Sequence, residues 1–267
     1  MFLVRRLSCY LIMKIALCQF DIAWLERSKN FATVRRLVQV NPASEDSLLV
    51  LPEMFATGFS LDTNETREWS GGETESFLGD LAQDCHSYIL AGSVRAGSAG
   101  SSRNEAVLIS PRGREVGSYA KIHLFSGAGE DREHSAGQSV EVFTIGDTTI
   151  APFVCYDLRF PEIFRLATQK RADVLVVIAN WPQVRIEHWL TLLRARAIEN
   201  QAYAVGVNRI GKDPAHDYPG RSLVVDSRGN VVFDAGDREG VFEVELDLAG
   251  LRAWREEFPA LRDSRFY

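Results

Sequence analysis

Short apolar runs rich in β-branched residues alternate along this chain with amphipathic segments, and that alternation constrains the fold more than any other feature. Runs such as SLLVLP, IAPFV and VVIAN have strand length and strand composition, whereas the segments between them repeat apolar residues at helical spacing. Strands are expected at 14–20, 47–51, 88–94, 104–110, 115–120, 148–154, 173–179, 203–208, 222–226 and 241–246, and helices at 27–40, 74–86, 161–170, 186–201 and 248–256. The helix after Pro182 is the clearest, because Ile186, Trp189, Leu190, Leu193, Ala197 and Ile198 fall on one face. The pattern is that of a mixed α/β protein, not a helical bundle or an all-β sandwich, and so many strands imply two sheets. Turn sequences at 111–115, 145–149 and 226–230 call for hairpins, so a purely parallel sheet is not expected. The longest irregular stretch, SGAGEDREHSAGQ at 126–138, has the length of a lid or binding loop.

A chain of 267 residues with 46% hydrophobic and 25% charged positions fits one large soluble domain. The domain is expected over 13–267, with Met13 as a plausible start and residues 1–12 as an upstream extension. Lys14 interrupts the apolar N-terminal segment and no small-residue cleavage site follows it, so it does not read as a signal peptide. The net charge of -6 argues against nucleic acid or an anionic membrane as the main partner and leaves a small molecule. No run approaches membrane-spanning length. Cys9, Cys18, Cys85 and Cys155 form no CxxC pair, and no Cys/His cluster has zinc spacing, which suits a reducing cytoplasm. Neither a metal nor an organic cofactor is expected.

The chemistry concentrates at three strand ends. Cys155 stands in VCYDLRFPE where an apolar run meets a polar turn and a Pro-opened helix, an accessible setting for a thiol. A lone cysteine is more often a small buried hydrophobe, and Cys9, Cys18 and Cys85 keep that reading. Glu53 ends an apolar run in LPEMFATGF, an awkward place for an unpaired charge, and Lys121 ends another in YAKIHLF. A free thiol near pKa ~8.5 is mostly protonated at neutral pH, so an acceptor and a positive charge beside it would make it a nucleophile. Glu53 would be the base and Lys121 the charge, while the backbone amide of Tyr156, the residue after the thiol, could donate to an oxyanion. His123, two residues beyond Lys121, keeps open a Cys/His arrangement in which imidazole is the base, although most lone histidines in such settings satisfy a local hydrogen bond.

These words, LPEMFATGF, AKIHLF and CYDLRFPE, together with ANWP and RARAIENQAY, resemble the nitrilase superfamily of carbon-nitrogen hydrolases, and most of all its omega-amidase branch. The resemblance runs from Met13 to about Phe258. It implies a four-layer α-β-β-α sandwich that pairs across its helices into a homodimer or larger homo-oligomer, and a Glu53, Lys121, Cys155 triad. It implies a second glutamate in the long loop that buttresses the lysine; counting back from Ala136-Gly137 selects Glu130, with Glu133 as competitor. Asn180, Trp181 and Arg185 stand where family members place pocket residues. The implied reaction is hydrolysis of a small omega-amide such as 2-oxoglutaramate, whose remote carboxylate Arg185 could bind bidentately, with Arg159 as the other candidate. A nitrilase, an N-carbamoyl amidase and a redox-sensing protein that retains the fold are the alternatives.

Overall fold

The computed structural model describes residues 11–97 and 101–265. In chain order the elements are β1 (Ile12–Gln19), α1 (Arg27–Val40), β2 (Leu48–Val50), α2 (Thr63–Thr66), α3 (Glu73–Cys85), β3 (Tyr88–Ala96), β4 (Ser102–Ile109), β5 (Glu115–Ala120), α4 (Glu130–Glu133), β6 (Phe143–Ile145), β7 (Thr148–Val154), α5 (Pro161–Gln169), β8 (Val174–Ala179), α6 (Ile186–Asn200), β9 (Tyr203–Asn208), β10 (Ile210–Lys212), β11 (Asp217–Pro219), β12 (Leu223–Val225), β13 (Val231–Asp234), β14 (Gly240–Asp247) and α7 (Leu248–Glu257). The expected N-terminal extension falls outside the described residues up to position 10. β1 begins one residue before Met13, with Ile12 opposite Asp247.

Two six-stranded sheets carry the architecture, ordered β14-β1-β2-β3-β4-β5 and β13-β12-β9-β8-β7-β6. Strand periodicity shows how they stack. In β1, Ile15 and Leu17 join the core shared with the second sheet, while Ala16 and Cys18 join the core under α1 and α3. The same split separates Leu48 and Val50 from Leu49 in β2, and Ala106 and Leu108 from Val107 and Ile109 in β4. The first sheet therefore has helices on one face and the second sheet on the other. β7, β8 and β9 are parallel, linked through α5 and α6, and every residue of β8 is buried. Continuous burial explains why VLVVIA shows no alternation: α5 and α6 cover one face and the first sheet covers the other. The four-layer α-β-β-α sandwich follows.

Pro152 sits inside β7 without breaking it. β6 pairs only with residues 148–150 of that strand, so the N–H that proline lacks has no partner to lose. The expected hairpin turns join β4 to β5, β6 to β7 and β12 to β13. The sequence reading did not foresee β6, β10, β11 and β13, or α2 and α4, each three or four residues long and too short to show a period. The segment at 126–138 is not a free lid. It contains α4 and is pinned where the Ser135 N–H donates to Ser102 O and the Gly137 N–H donates to Lys121 O, each at 2.8 Å.

Candidate active site

Two strands from each sheet end at one cleft. Glu53 follows β2 and Lys121 follows β5 in the first sheet; Cys155 follows β7 and Asn180 follows β8 in the second. Cys155 has φ +47° and Met54, next to Glu53, has φ +45°. Left-handed backbone at a non-glycine residue costs about 1–3 kcal/mol and persists only where its surroundings over-determine it. Gly92 on β3 is part of that enclosure at Glu53: a Cβ there would lie 2.5 Å from both Glu53 Cα and Met54 N. Only a glycine lets the strand approach the turn so closely.

The charged groups form one buried cluster. Lys121 Nζ donates to Glu130 Oε2 at 2.8 Å, Glu130 Oε1 at 2.9 Å and Glu53 Oε1 at 3.1 Å. Asn104 Nδ2 bridges the two carboxylates, donating to Glu53 Oε1 at 2.8 Å and Glu130 Oε1 at 2.9 Å. The Asn180 N–H donates to Glu53 Oε2 at 2.9 Å, and its Nδ2 to the Glu53 carbonyl at 2.7 Å. Burial alone would discharge the ammonium, yet Glu53 and Glu130 more than reverse it and hold Lys121 cationic well above its ordinary range. Burial likewise opposes ionisation of Glu130, but the Lys121 charge and hydrogen bonds keep its carboxyl below the usual range.

The Cys155 thiol donates to the Asn180 carbonyl at 4.0 Å, with the Glu53 carboxylate beside it. Burial and the Glu53 charge push it well above an ordinary thiol, and Lys121 pulls it down by less. Lys121 favours the thiolate, as its sequence position implied, but two carboxylates share that one positive charge. The resting sulfur is therefore a thiol rather than a thiolate.

A cavity of about 360 Å³ opens above the sulfur. Phe59, Phe125, Tyr156, Trp181 and Tyr218 supply aromatic walls, and Arg159 and Arg185 also line it. The Arg159 guanidinium lies 4.8 Å from the Trp181 ring centre and 5.7 Å from that of Tyr156, and Arg185 lies 5.7 Å from Phe125. Among the described residues neither arginine pairs with a carboxylate. Arg159 pairs with neither Asp157 nor Glu162, the carboxylates beside it in CYDLRFPE. Trp181 is almost wholly buried, its ring nitrogen donating to the Arg185 carbonyl at 2.8 Å.

Comparison with known proteins places this cleft in context. Residues 14–256 match the carbon-nitrogen hydrolase family. The chain belongs to that family. It is 34% identical to the 2-oxoglutaramate amidase of Bacillus subtilis, over 94% of this chain and 97% of the relative. It is 36% identical to an omega-amidase of Yersinia enterocolitica, over 94% and 96%. A solved carbon-nitrogen hydrolase superfamily protein from Xanthomonas campestris, with an arsenic adduct in its active site, superposes with a TM-score of 0.89 at 29% identity, over 96% of this chain and 98% of that one. A nitrilase-superfamily protein of Saccharomyces cerevisiae gives 0.81 at 25% identity, over 93% and 94%. The chain is an amide-hydrolysing carbon-nitrogen hydrolase of the nitrilase fold.

In this hydrolase Glu53, Lys121, Glu130 and Cys155 come together, and Tyr156, Trp181 and Arg185 line the cavity beside them. Asn180 touches the cavity but directs its side-chain donor at the Glu53 backbone. Glu133 is not in the Lys121 cluster. His123 does not face the sulfur: its Nδ1 is 3.0 Å from Asp157 Oδ1 and its ring stacks on Phe160 with centres 3.8 Å apart. Sequence reading missed Asn104, whose only signal is an asparagine in the polar first half of β4, SRNE, and it missed Phe59, six residues past Glu53, and Tyr218 on β11.

Proposed function

We propose that this hydrolase cleaves the terminal carboxamide of a small omega-amido 2-oxo acid such as 2-oxoglutaramate, through a thioester on Cys155. Glu53 takes the thiol proton as sulfur attacks the amide carbon. Lys121 and the Tyr156 backbone amide meet the oxyanion, and Glu53 returns the proton to nitrogen so that ammonia leaves. Glu53 then takes a proton from water, which attacks the thioester; the sulfur regains a proton and the carboxylic acid departs. Atoms balance as amide plus water giving acid plus ammonia. Lys121 serves as a charge throughout, since an ammonium held between two carboxylates has no lone pair to offer.

The observation that carries the substrate class is the pair of arginines in the cavity that holds Cys155, neither of which has a carboxylate partner among the described residues. An aromatic cavity with uncompensated guanidinium groups favours an anionic substrate end, and the relatives named for 2-oxoglutaramate and omega-amides act on such molecules. Ammonia release from 2-oxoglutaramate, an uncharged amide of similar length, a nitrile and an N-carbamoyl amine tests it. Preference for 2-oxoglutaramate is expected; preference for any of the others overturns the assignment. The proposal includes a homodimer, for which exposed Leu166 on α5 and Ile198 on α6 offer apolar contact, and a cytoplasmic setting consistent with free Cys18, Cys85 and Cys155.

A further inference from the structure

Asp157 is fully buried two residues after the nucleophile, yet it stands apart from the carboxylate cluster around Lys121. Its oxygens accept four hydrogen bonds. Oδ2 accepts from the Tyr119 hydroxyl at 2.8 Å and the Val154 N–H at 3.1 Å. Oδ1 accepts from the His123 N–H at 2.9 Å and, with Nδ1 protonated, from the His123 ring at 3.0 Å. A buried carboxylate is tolerated only when so satisfied, which makes the arrangement all-or-none.

The donors bracket both reacting side chains. Tyr119 on β5 and His123 just past its end lie two residues to either side of Lys121, and Val154 at the end of β7 immediately precedes Cys155. The His123 ring stacks nearly parallel on Phe160, which closes the nucleophile's turn, so the histidine is held on its edge and on its face. Cys155 itself has the strained φ of +47° that needs support from outside the turn.

We propose that Asp157 is a positioning residue for the amide hydrolysis, a single carboxylate that clasps the strand end carrying Lys121 to the turn carrying Cys155 and sets ammonium against sulfur without touching substrate. The inference rests on the amidase reading for its effect on turnover, but the clasp itself spans groups on both sheets whatever the substrate. It also gives His123 a function in place of the general base its spacing allowed.

The test uses the full chain and two readouts: steady-state ammonia release per titrated Cys155, and the pH midpoint of Cys155 carboxamidomethylation by iodoacetamide, followed by mass spectrometry. Tyr119→Phe and His123→Phe each keep the ring and remove one donor to a charged acceptor. Each should lower kcat about tenfold or more with KM within about threefold. Each should also move the alkylation midpoint up, because a loosened turn weakens the pull of Lys121 on the thiol. His123→Asn, which keeps a side-chain N–H donor and cannot serve as a base, should recover most of what His123→Phe loses. Asp157→Asn should show the largest loss; if it does not fold, the two donor variants carry the test. Wild-type kcat and midpoint in both donor variants would overturn the clasp, as would losses confined to KM or melting temperature. If wild-type protein releases no ammonia from any amide, the functional reading fails, and the clasp is then decided by the alkylation midpoints alone.

Discussion

Lys121 Nζ donates to both oxygens of Glu130, at 2.8 and 2.9 Å, in a region closed to solvent. This contact fixes the lysine as a cation, while Glu53, which it touches through one oxygen, adds to burial in raising the Cys155 thiol. Division of labour between two glutamates around one lysine is the main electrostatic feature of the site.

Glu130→Gln tests that division through acid stability. The Glu130 carboxyl is held below its ordinary value of 4.5, so its contribution is complete above about pH 4.5 and is lost as pH falls through the lower folded value. Urea denaturation should find the variant less stable at pH 7 and its stability less steeply dependent on pH below 4.5. An acid limb as steep as in wild-type protein would assign that proton uptake to other carboxylates.

Removal of single charges should move the thiol in opposite directions. Glu53→Gln deletes the neighbouring charge that raises the Cys155 pKa and should shift the alkylation midpoint down, whereas Lys121→Met deletes the charge that lowers it and should shift the midpoint up. Both should lower kcat at least ~100-fold. Lys121→Met should also destabilise the fold by about 3–5 kcal/mol, since two buried carboxylates lose their cation. Shifts of the same sign in both variants would rule out this electrostatic scheme.

Arginine replacement separates substrate charge from general damage. Arg185→Met should raise KM for 2-oxoglutaramate about ten- to a hundredfold and spare an uncharged amide of similar length, the worth of a charge-assisted bidentate contact. The same comparison on Arg159→Met decides which guanidinium binds the carboxylate. Equal losses on both substrates in both variants would remove the carboxylate from the arginines.

Gly92→Ala should damage the site without touching a functional side chain. The added methyl group meets backbone at Glu53 and Met54, which cannot swing aside, so a stability loss of about 1–3 kcal/mol and a drop in kcat are expected together. Circular dichroism melting with ammonia assays checks both. Wild-type values in each would show that the Glu53 turn tolerates displacement.

Much of this was legible in the chain because strand ends are. Runs such as IAPFV and VVIAN announce where a sheet edge turns polar, and Cys155 and Asn180 stand at those junctions. The convergence of Glu53 and Cys155 from different sheets was readable only through the family resemblance, since periodicity says nothing of how two sheets stack. Burial of Glu130 was hidden because EDREH is as charged as a solvated loop, and its fate depends on the Lys121 cation and the pinning of residues 135 and 137. For His123 spacing alone left two readings open, since two residues from Lys121 suits a base near the thiol and also a ring that hydrogen-bonds locally, as it does to Asp157.

The most direct test of the thioester mechanism compares wild-type protein with Cys155→Ala on 2-oxoglutaramate, measuring ammonia release alongside the mass of the peptide containing residue 155. Wild-type protein should release ammonia, and acid-quenched turnover mixtures should contain a fraction of that peptide heavier by the substrate less ammonia. Cys155→Ala should fold, carry no adduct and release ammonia at least ~10⁴-fold more slowly, since no second thiol lines the cavity among the described residues. Ammonia release by the alanine variant within tenfold of wild type would contradict the mechanism.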